Sequence, residues 1–161
     1  MSELNTFKAV LVEEKANKQF TVNIANRSVS DLPDNDLLVN VHYSSLNFKD
    51  ALSASGNKRV SSHFPHTPGI DAAGVVIHDK SGTFSPGDEV LVFGYDLGMN
   101  TPGGLGQMIS IPANWAVKRP EGLSLKEAMS YGTGGLTAAL CIQKLEKIFL
   151  VKITIFRRSR Q

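Results

Sequence analysis

Pro68-Gly69-Ile70-Asp71-Ala72-Ala73-Gly74-Val75-Val76-Ile77 is the stretch that decides how this chain folds. Pro68-Gly69 breaks whatever precedes it, and the residues from Ile70 to Ile77 read as a strand, the alanines notwithstanding. Gly74 inside that strand marks a bend or a close approach of another backbone. Outward from it, Pro86-Gly87-Asp88 is a tight turn that delivers a second apolar run, Glu89-Val90-Leu91-Val92-Phe93. Upstream, Pro33-Asp34-Asn35-Asp36 turns the chain into Leu37-Leu38-Val39-Asn40-Val41-His42-Tyr43, a strand expected to be buried on much of both faces. Phe7 to Val12 is a short apolar run, and Phe20, Val22 and Ile24 alternate with Thr21 and Asn23, the period of a strand with one buried face. Short strands separated by turns at such intervals predict a barrel.

Helices are expected at two places. Asn47 to Ala54 can form a short one, with Phe48, Ala51 and Leu52 along one face and Gly56 as its stop. Ser124-Leu125-Lys126-Glu127 has the pattern of a capping box, in which serine and glutamate satisfy each other's free backbone N–H groups and so open a helix. Glycines at 132, 134 and 135 interrupt that helix before Leu136 to Leu145 resume it, so two helices should meet at a break. Gly94 to Gly106, containing Pro102-Gly103-Gly104, reads as a mobile or functional loop. Met108 to Ile111 reads as a strand, and Ile148 to Phe156 as a strand-like apolar stretch with no evident partner.

Composition narrows the class. In 161 residues, 42% hydrophobic and 20% charged side chains suit one globular domain and suggest neither disorder nor a membrane protein. The single cysteine, Cys141, excludes an internal disulfide, and Met1-Ser2-Glu3-Leu4-Asn5 lacks the basic and apolar blocks of a secretory signal, so a cytoplasmic location is expected. The net charge of +2 is unevenly placed: Lys147, Lys152, Arg157, Arg158 and Arg160 follow the last acidic residue, Glu146, which leaves residues 1–146 at −3. Arg157-Arg158-Ser159-Arg160 is a thin signal for phosphate binding, and the acidic body carries no nucleic-acid module, so no nucleic-acid partner is expected.

Three segments taken in order carry a resemblance. Ser44-Ser45-Leu46-Asn47-Phe48-Lys49-Asp50, then Phe64-Pro65-His66-Thr67-Pro68-Gly69-Ile70-Asp71-Ala72-Ala73-Gly74, then Pro86-Gly87-Asp88-Glu89-Val90 resemble the N-terminal, GroES-like domain of medium-chain dehydrogenase/reductases. Gly103-Gly104-Leu105 and Tyr131-Gly132-Thr133-Gly134-Gly135-Leu136-Thr137-Ala138-Ala139-Leu140 narrow the likeness to the zinc-free quinone oxidoreductase branch, which includes acryloyl-CoA reductases. The expected fold is therefore mainly β with short helices: a GroES-like, partly open β-barrel over residues 1–124, linker helices over 125–146 and an apolar-basic tail over 147–161 that does not resemble the family.

The resemblance also implies chemistry. Zinc-dependent relatives carry a cysteine near the position of Ser45 and a histidine-glutamate pair near Ile70-Asp71; those ligands are replaced here, and His42, His63, His66 and His78 have no spacing that builds a substitute, so no zinc is expected. Without a Lewis acid, an enone, enoyl thioester or quinone must be polarised by hydrogen bonds while NADPH supplies hydride. By resemblance, Asn47 and Phe48 lie beside the nicotinamide, and Thr133 and Thr137 lie near its ribose. Acryloyl-CoA reductases usually have tyrosine after the asparagine; Phe48 has no hydroxyl to donate, and no catalytic residue is assigned. Asp50 is expected to orient Lys49 or cap its helix, and Asp71 to satisfy backbone amides at a strand end.

Gly132-Thr133-Gly134-Gly135 imitates a phosphate loop, but it lies between helical stretches and reads as a hinge. No later glycine exists to build the G-x-G-x-x-G turn of a Rossmann domain. The expectation is thus a family reductase that ends early near Glu146, through frame slippage, and binds NADPH poorly by itself. The competing reading is a noncatalytic GroES-like module that binds a partner or oligomerises. Uncovered Leu136, Leu140, Ile142 and Leu145 predict a homodimer or an aggregate in either case.

Overall fold

The turn at Pro33–Asp36 and the glycine inside the Asp71 strand organise a five-stranded antiparallel sheet in the computed structural model, which describes residues 6–158 and side chains up to Lys147. Its strands are β3 (Leu37–Tyr43), β4 (Asp71–Asp79), β5 (Glu89–Phe93), β6 (Met108–Ile111) and β7 (Ala116–Lys118), in the order β6-β3-β4-β5-β7. A separate antiparallel hairpin joins β1 (Thr6–Glu14) to β2 (Phe20–Ser28), with Val10 opposite Ile24. The hairpin closes on the larger sheet through single links: Val10 N–H donates to the Leu105 carbonyl at 2.9 Å, and Val12 and His66 exchange backbone hydrogen bonds of 2.8 and 2.9 Å. The two sheets do not form a continuous ring, so the barrel is partly open, as the resemblance implies.

Gly74 supplies the close approach foreseen for it. It sits opposite Val41, packed so tightly on the Asn40 backbone that a side chain there would collide with the Asn40 carbonyl. Inside the barrel, Leu37, Val39, Val76, Val90, Val92, Ile109 and Ile111 are buried almost completely, each contributing about 1.5–3 kcal/mol by leaving water. The β3 expectation holds only for its first half, since His42 and Tyr43 emerge at the strand end.

Several expectations are corrected. Val22 and Ile24 do not form a buried face; they are exposed on β2, which pairs with β1 alone, and of the three alternating residues it is Phe20 that packs, against the Phe64 ring at 4.9 Å. In α1 (Phe48–Ala54) the inward residues are Asp50 and Ser53, while Phe48 is 80% exposed. Hydrogen bonds orient this seven-residue helix more strongly than its apolar stripe does: Asp50 is pinned from two sides, and Ser53 shares a 2.7 Å bond with Ser61. The glycine-rich loop is a packed ridge in this structure, with Leu97, Gly98, Gly103, Gly104 and Gly106 buried. Gly103, Gly104 and Leu105 N–H groups donate to Thr67, Gly69 and Pro68 at 2.8, 2.9 and 3.0 Å, which stitches the loop to the segment before β4.

The helix α2 (Leu125–Arg158) opens with the anticipated capping box, Ser124 N–H to Glu127 Oε2 at 2.9 Å and Glu127 N–H to Ser124 Oγ at 3.2 Å. Its break lies at Gly132, where φ is 57° and ψ is −139°. The first segment packs Leu125, Ala128 and Met129 against Ala73 and Leu91 on the outside of the sheet. Beyond the break, helix continues through the stretch Ile148–Phe156 read as strand-like from its β-branched residues. Intrinsic strand preference is weak without a partner strand, whereas adding a residue to an existing helix needs no new nucleus.

Candidate active-site wall

Asp71 is the first residue of β4, and its side chain is fully buried. A buried carboxylate must be hydrogen-bonded to be tolerated there, and this one is saturated by donors from three parts of the chain. Ser45 Oγ donates to Oδ2, Asn47 Nδ2 donates to the same oxygen at 2.9 Å, Thr133 N–H donates to it at 3.0 Å, and Thr133 Oγ1 donates to Oδ1. The β3–α1 loop, the start of β4 and the far side of the α2 break therefore converge on one carboxylate.

Local structure makes the convergence possible. Ser44 Oγ bonds the carbonyls of Asp71 and Gly104 at 2.9 and 2.6 Å, holding the β3–α1 loop against β4 and the glycine-rich ridge. Asp50 accepts from the backbone N–H of Asn47 at 2.7 Å and of Ile70 at 3.0 Å, so it caps α1 and ties that helix to the residue before Asp71. Burial, opposed in part by these hydrogen bonds and reinforced by the nearby Asp71 charge, raises the Asp50 pKa above the ordinary aspartate value. At Gly132 a side chain would lie 2.6 Å from Ser45 Oγ and 2.8 Å from Asp71 Oδ2, so only glycine lets the helix break sit against the cluster.

Sequence-assigned residues are distributed unequally. Asn47 and Thr133 meet at Asp71. Phe48 stands beside Asn47 but projects outward, next to the equally exposed Leu46. Thr137 lies one turn beyond Thr133 on the exposed surface of α2, and no hydrogen bond among the described residues joins its side chain to the cluster. Asp50 does cap its helix, in line with one of its two expected tasks, while Lys49 turns toward Met99 Sδ at 3.9 Å.

The role expected of Asp71 is corrected: it serves one distant backbone amide and three side-chain donors, not the amides of its own strand end. The hydrogen bond between Ser45 and Asp71 is the part of the candidate site that the sequence leaves hidden. A signal existed in one acidic residue set among Ile70, Ala72 and Ala73, because a carboxylate in a buried strand requires specific donors.

Chemically, the cluster is a fixed wall. Both hydroxyl protons point at Asp71, and Asn47 Nδ2 is committed to Asp71 and, at 3.3 Å, to Ser45. The Thr133 amide, already given to Asp71, is not free for a phosphate, which supports a hinge over a phosphate loop. Among the described residues no three His, Cys, Asp or Glu side chains converge as a metal site. An open groove of about 350 Å³ begins beside Ser44 and runs between Val10, Ile24, Val41, Tyr43 and Leu105. A second, apolar groove of about 340 Å³ lies between Phe93, Val117, Tyr131 and Leu136 at the α2 break.

Two antiparallel sheets in a partly open barrel place this chain in the GroES-like class of domain. The chain belongs to the alcohol dehydrogenase GroES-like domain family, whose model matches residues 33–121. It is similar to the acrylyl-CoA reductase AcuI of Ruegeria pomeroyi, 38% identical over 143 residues that cover 87% of this chain and 43% of that protein. Among solved structures it is similar to the YhdH oxidoreductase of Salmonella enterica in complex with NADP, with 40% identity and a TM-score of 0.83 over 87% of this chain and 43% of that one. It is likewise similar to Bacillus subtilis YhfP with NAD bound, with 41% identity and a TM-score of 0.84 over 88% and 43%. The chain thus spans less than half the length of these relatives, and every pairing between the strands of its described part is antiparallel, unlike a Rossmann sheet.

Proposed function

We propose that this chain forms the substrate-side half of a zinc-independent, NADPH-dependent oxidoreductase that reduces an activated carbon–carbon double bond, as in an enone or enoyl thioester, or a quinone. The observation that carries the reading is the Asp71 carboxylate, which binds Ser45, Asn47 and Thr133 into one surface in a chain 40% identical to an NADP-bound oxidoreductase. In this reading residues 1–124 are the barrel, 125–146 the linker helices and 147–161 a segment outside the family pattern, in a cytoplasmic protein.

The residues present fit a nicotinamide ring. Exposed Phe48 and Leu46 offer an apolar ledge beside a hydrogen-bonded floor whose donors are turned inward, and a flat ring suits that combination. Asn47 and Phe48 would flank the ring, while Thr133 and Thr137 would face its ribose. NADPH supplies a hydride when bound. The chain's own residues position: Asp71 fixes Asn47 and Thr133, Asp50 fixes the loop that carries Asn47, and Phe48 and Leu46 exclude water from one side.

Among the described residues no glycine-rich turn leads from a strand into a helix N-terminus to receive the pyrophosphate, so the chain alone should bind NADPH only weakly and turn over nothing. The test has two arms. Titration of the purified chain with NADPH, and assay with acryloyl-CoA and a quinone, should show no saturable binding at micromolar concentrations and no turnover. Joining residues 1–146 to the complementary half of Bacillus subtilis YhfP should give an NADPH oxidase activity dependent on one of those substrates. Micromolar binding and turnover by the isolated chain, or an inert but folded chimera with intact cofactor binding, would contradict the proposal.

A further inference from the structure

His42, His63 and His78 are exposed, but His66 is buried, with 4% of its surface in water. It lies where the β1–β2 hairpin, the segment before β4 and the glycine-rich ridge meet. Its backbone holds the hairpin through the two hydrogen bonds exchanged with Val12, and its ring reaches the other way, placing Nε2 2.9 Å from the Gly98 carbonyl. A carbonyl only accepts, so Nε2 carries the proton of the neutral ring and Nδ1 is left without one. Among the described residues no hydrogen-bond partner meets Nδ1. Gly98 in turn is packed so closely on Gly69 that a side chain there would fall 2.5 Å from the Gly69 carbonyl, and Gly69 leads directly into Ile70 and Asp71. On either side of Gly98, Leu97 is fully buried and Met99 faces Lys49 Nζ at 3.9 Å.

From this placement we infer that His66 is a pH-sensitive latch: the neutral ring holds the ridge from Leu97 to Thr101 against the hairpin and the Gly69 turn, and protonation frees that ridge to open. Protonation adds an N–H at Nδ1, where no acceptor waits, and places a charge in a buried site. Opening returns the ring to water, which solvates both. The charged groups facing the ring are Arg27 of β2, which opposes its protonation, and Asp96 at the start of the ridge, which favours it. Asp96 is already engaged by Asn100 Nδ2 at 3.3 Å and the Thr101 hydroxyl at 3.2 Å, and Arg27 by Asp31 at 3.1 Å. Phe64 meets the imidazole edge-on at 6.3 Å, and the Lys58 ammonium over Phe64 is paired with Glu14. Burial above all, helped by Arg27, lowers the pKa of His66 below the ordinary histidine value of 6.5, against the Gly98 hydrogen bond and Asp96. The closed ridge therefore binds the proton less readily than the open one. Closure is at full strength above 6.5, weakens as pH falls through that value and levels off below the folded pKa.

Two measurements on the full chain test the latch. Nitrogen-15 spectra of the ring should show the Nε2–H tautomer at neutral pH and a midpoint below 6.5, raised in Arg27→Gln and lowered in Asp96→Asn. Amide exchange, corrected for its intrinsic pH dependence, should show Gly98 and Thr101 opening up to about tenfold more often at roughly pH 5.5 than at roughly pH 7.5, the most that one proton can contribute over a unit of pH below the open-state value. In His66→Gln, whose side-chain amide can give Gly98 the same hydrogen bond without titrating, that rise should vanish. A ring that titrates at 6.5 or above, or that carries its neutral proton on Nδ1, would overturn the inference without any variant having to fold. So would a rise in exchange that persists in His66→Gln, or Gly98 and Thr101 exchanging no faster than the core amide of Ile109, which would make the opening global.

Discussion

Removing the Asp71 carboxylate should loosen the connection between barrel and α2 more than any other single change of similar size. Asp71→Leu keeps approximate volume but deletes both acceptor oxygens. Ser45 and Thr133 hydroxyls can rotate toward other acceptors, whereas Asn47 Nδ2 and the Thr133 backbone N–H are held in place and lose their 2.9 and 3.0 Å partner. A buried donor left without an acceptor costs about 1–3 kcal/mol, so the two together should cost about 2–6 kcal/mol. For a chain of this size the melting temperature falls roughly 3 °C per kcal/mol, which predicts a loss of about 6–18 °C by calorimetry or circular dichroism. Asp71→Asn retains one oxygen for the Ser45–Asn47–Thr133 side and can offer its amide to the Thr133 hydroxyl, so its cost should be only about 1–2 kcal/mol. Amide exchange localises the effect: Thr133 should exchange faster in Asp71→Leu, and combining that change with Thr133→Val should cost about 1 kcal/mol less than the separate losses added together. Melting of Asp71→Leu within a degree or two of the wild-type chain, with Thr133 exchange unaltered, would refute the view that this carboxylate holds the junction.

Two further predictions concern the same region. Gly132→Ala should destabilise by about 2–4 kcal/mol, because it combines an unfavourable φ with a Cβ pressed into Ser45 and Asp71, while Gly134→Ala, which meets nothing within 4 Å, should stabilise the helix by about 0.5–1 kcal/mol; denaturant midpoints separate the two. Asp50 has a folded-state pKa raised chiefly by burial, so the folded state holds its proton more tightly and the stability it contributes, full below the ordinary aspartate value of 3.8, declines as pH rises through the folded pKa. Asp50→Asn should remove that decline, so the wild-type chain should lose stability relative to Asp50→Asn as pH climbs from below 3.8; parallel stability–pH curves would count against the buried-carboxylate account.

Much of the fold was legible because local rules and tertiary contacts agree. The turns at Pro33–Asp36 and Pro86–Asp88 set the strand boundaries, Gly74 announced a crowded backbone, and Ser124 with Glu127 opened α2. Where the local pattern conflicted with packing, it misled. Phe48, Ala51 and Leu52 share one face of α1 in the sequence, but it is Asp50 and Ser53 that are buried, through their hydrogen-bond partners. Glycines in 94–106 suggested a mobile or functional loop, and the same small residues permit the close backbone packing observed.

By itself, the sequence determined the strand-rich order, the helix start, a break among the glycines at 132, 134 and 135 and the family to which these belong, because turn chemistry, capping and side-chain period act over a few residues; the structure put the break at Gly132. Only tertiary structure decided which groups meet at Asp71. Ser45, Asn47 and Thr133 are separated from it by 26, 24 and 62 positions. Such contacts arise when a buried charge must find donors wherever the folded backbone happens to bring them, and no local pattern records that requirement.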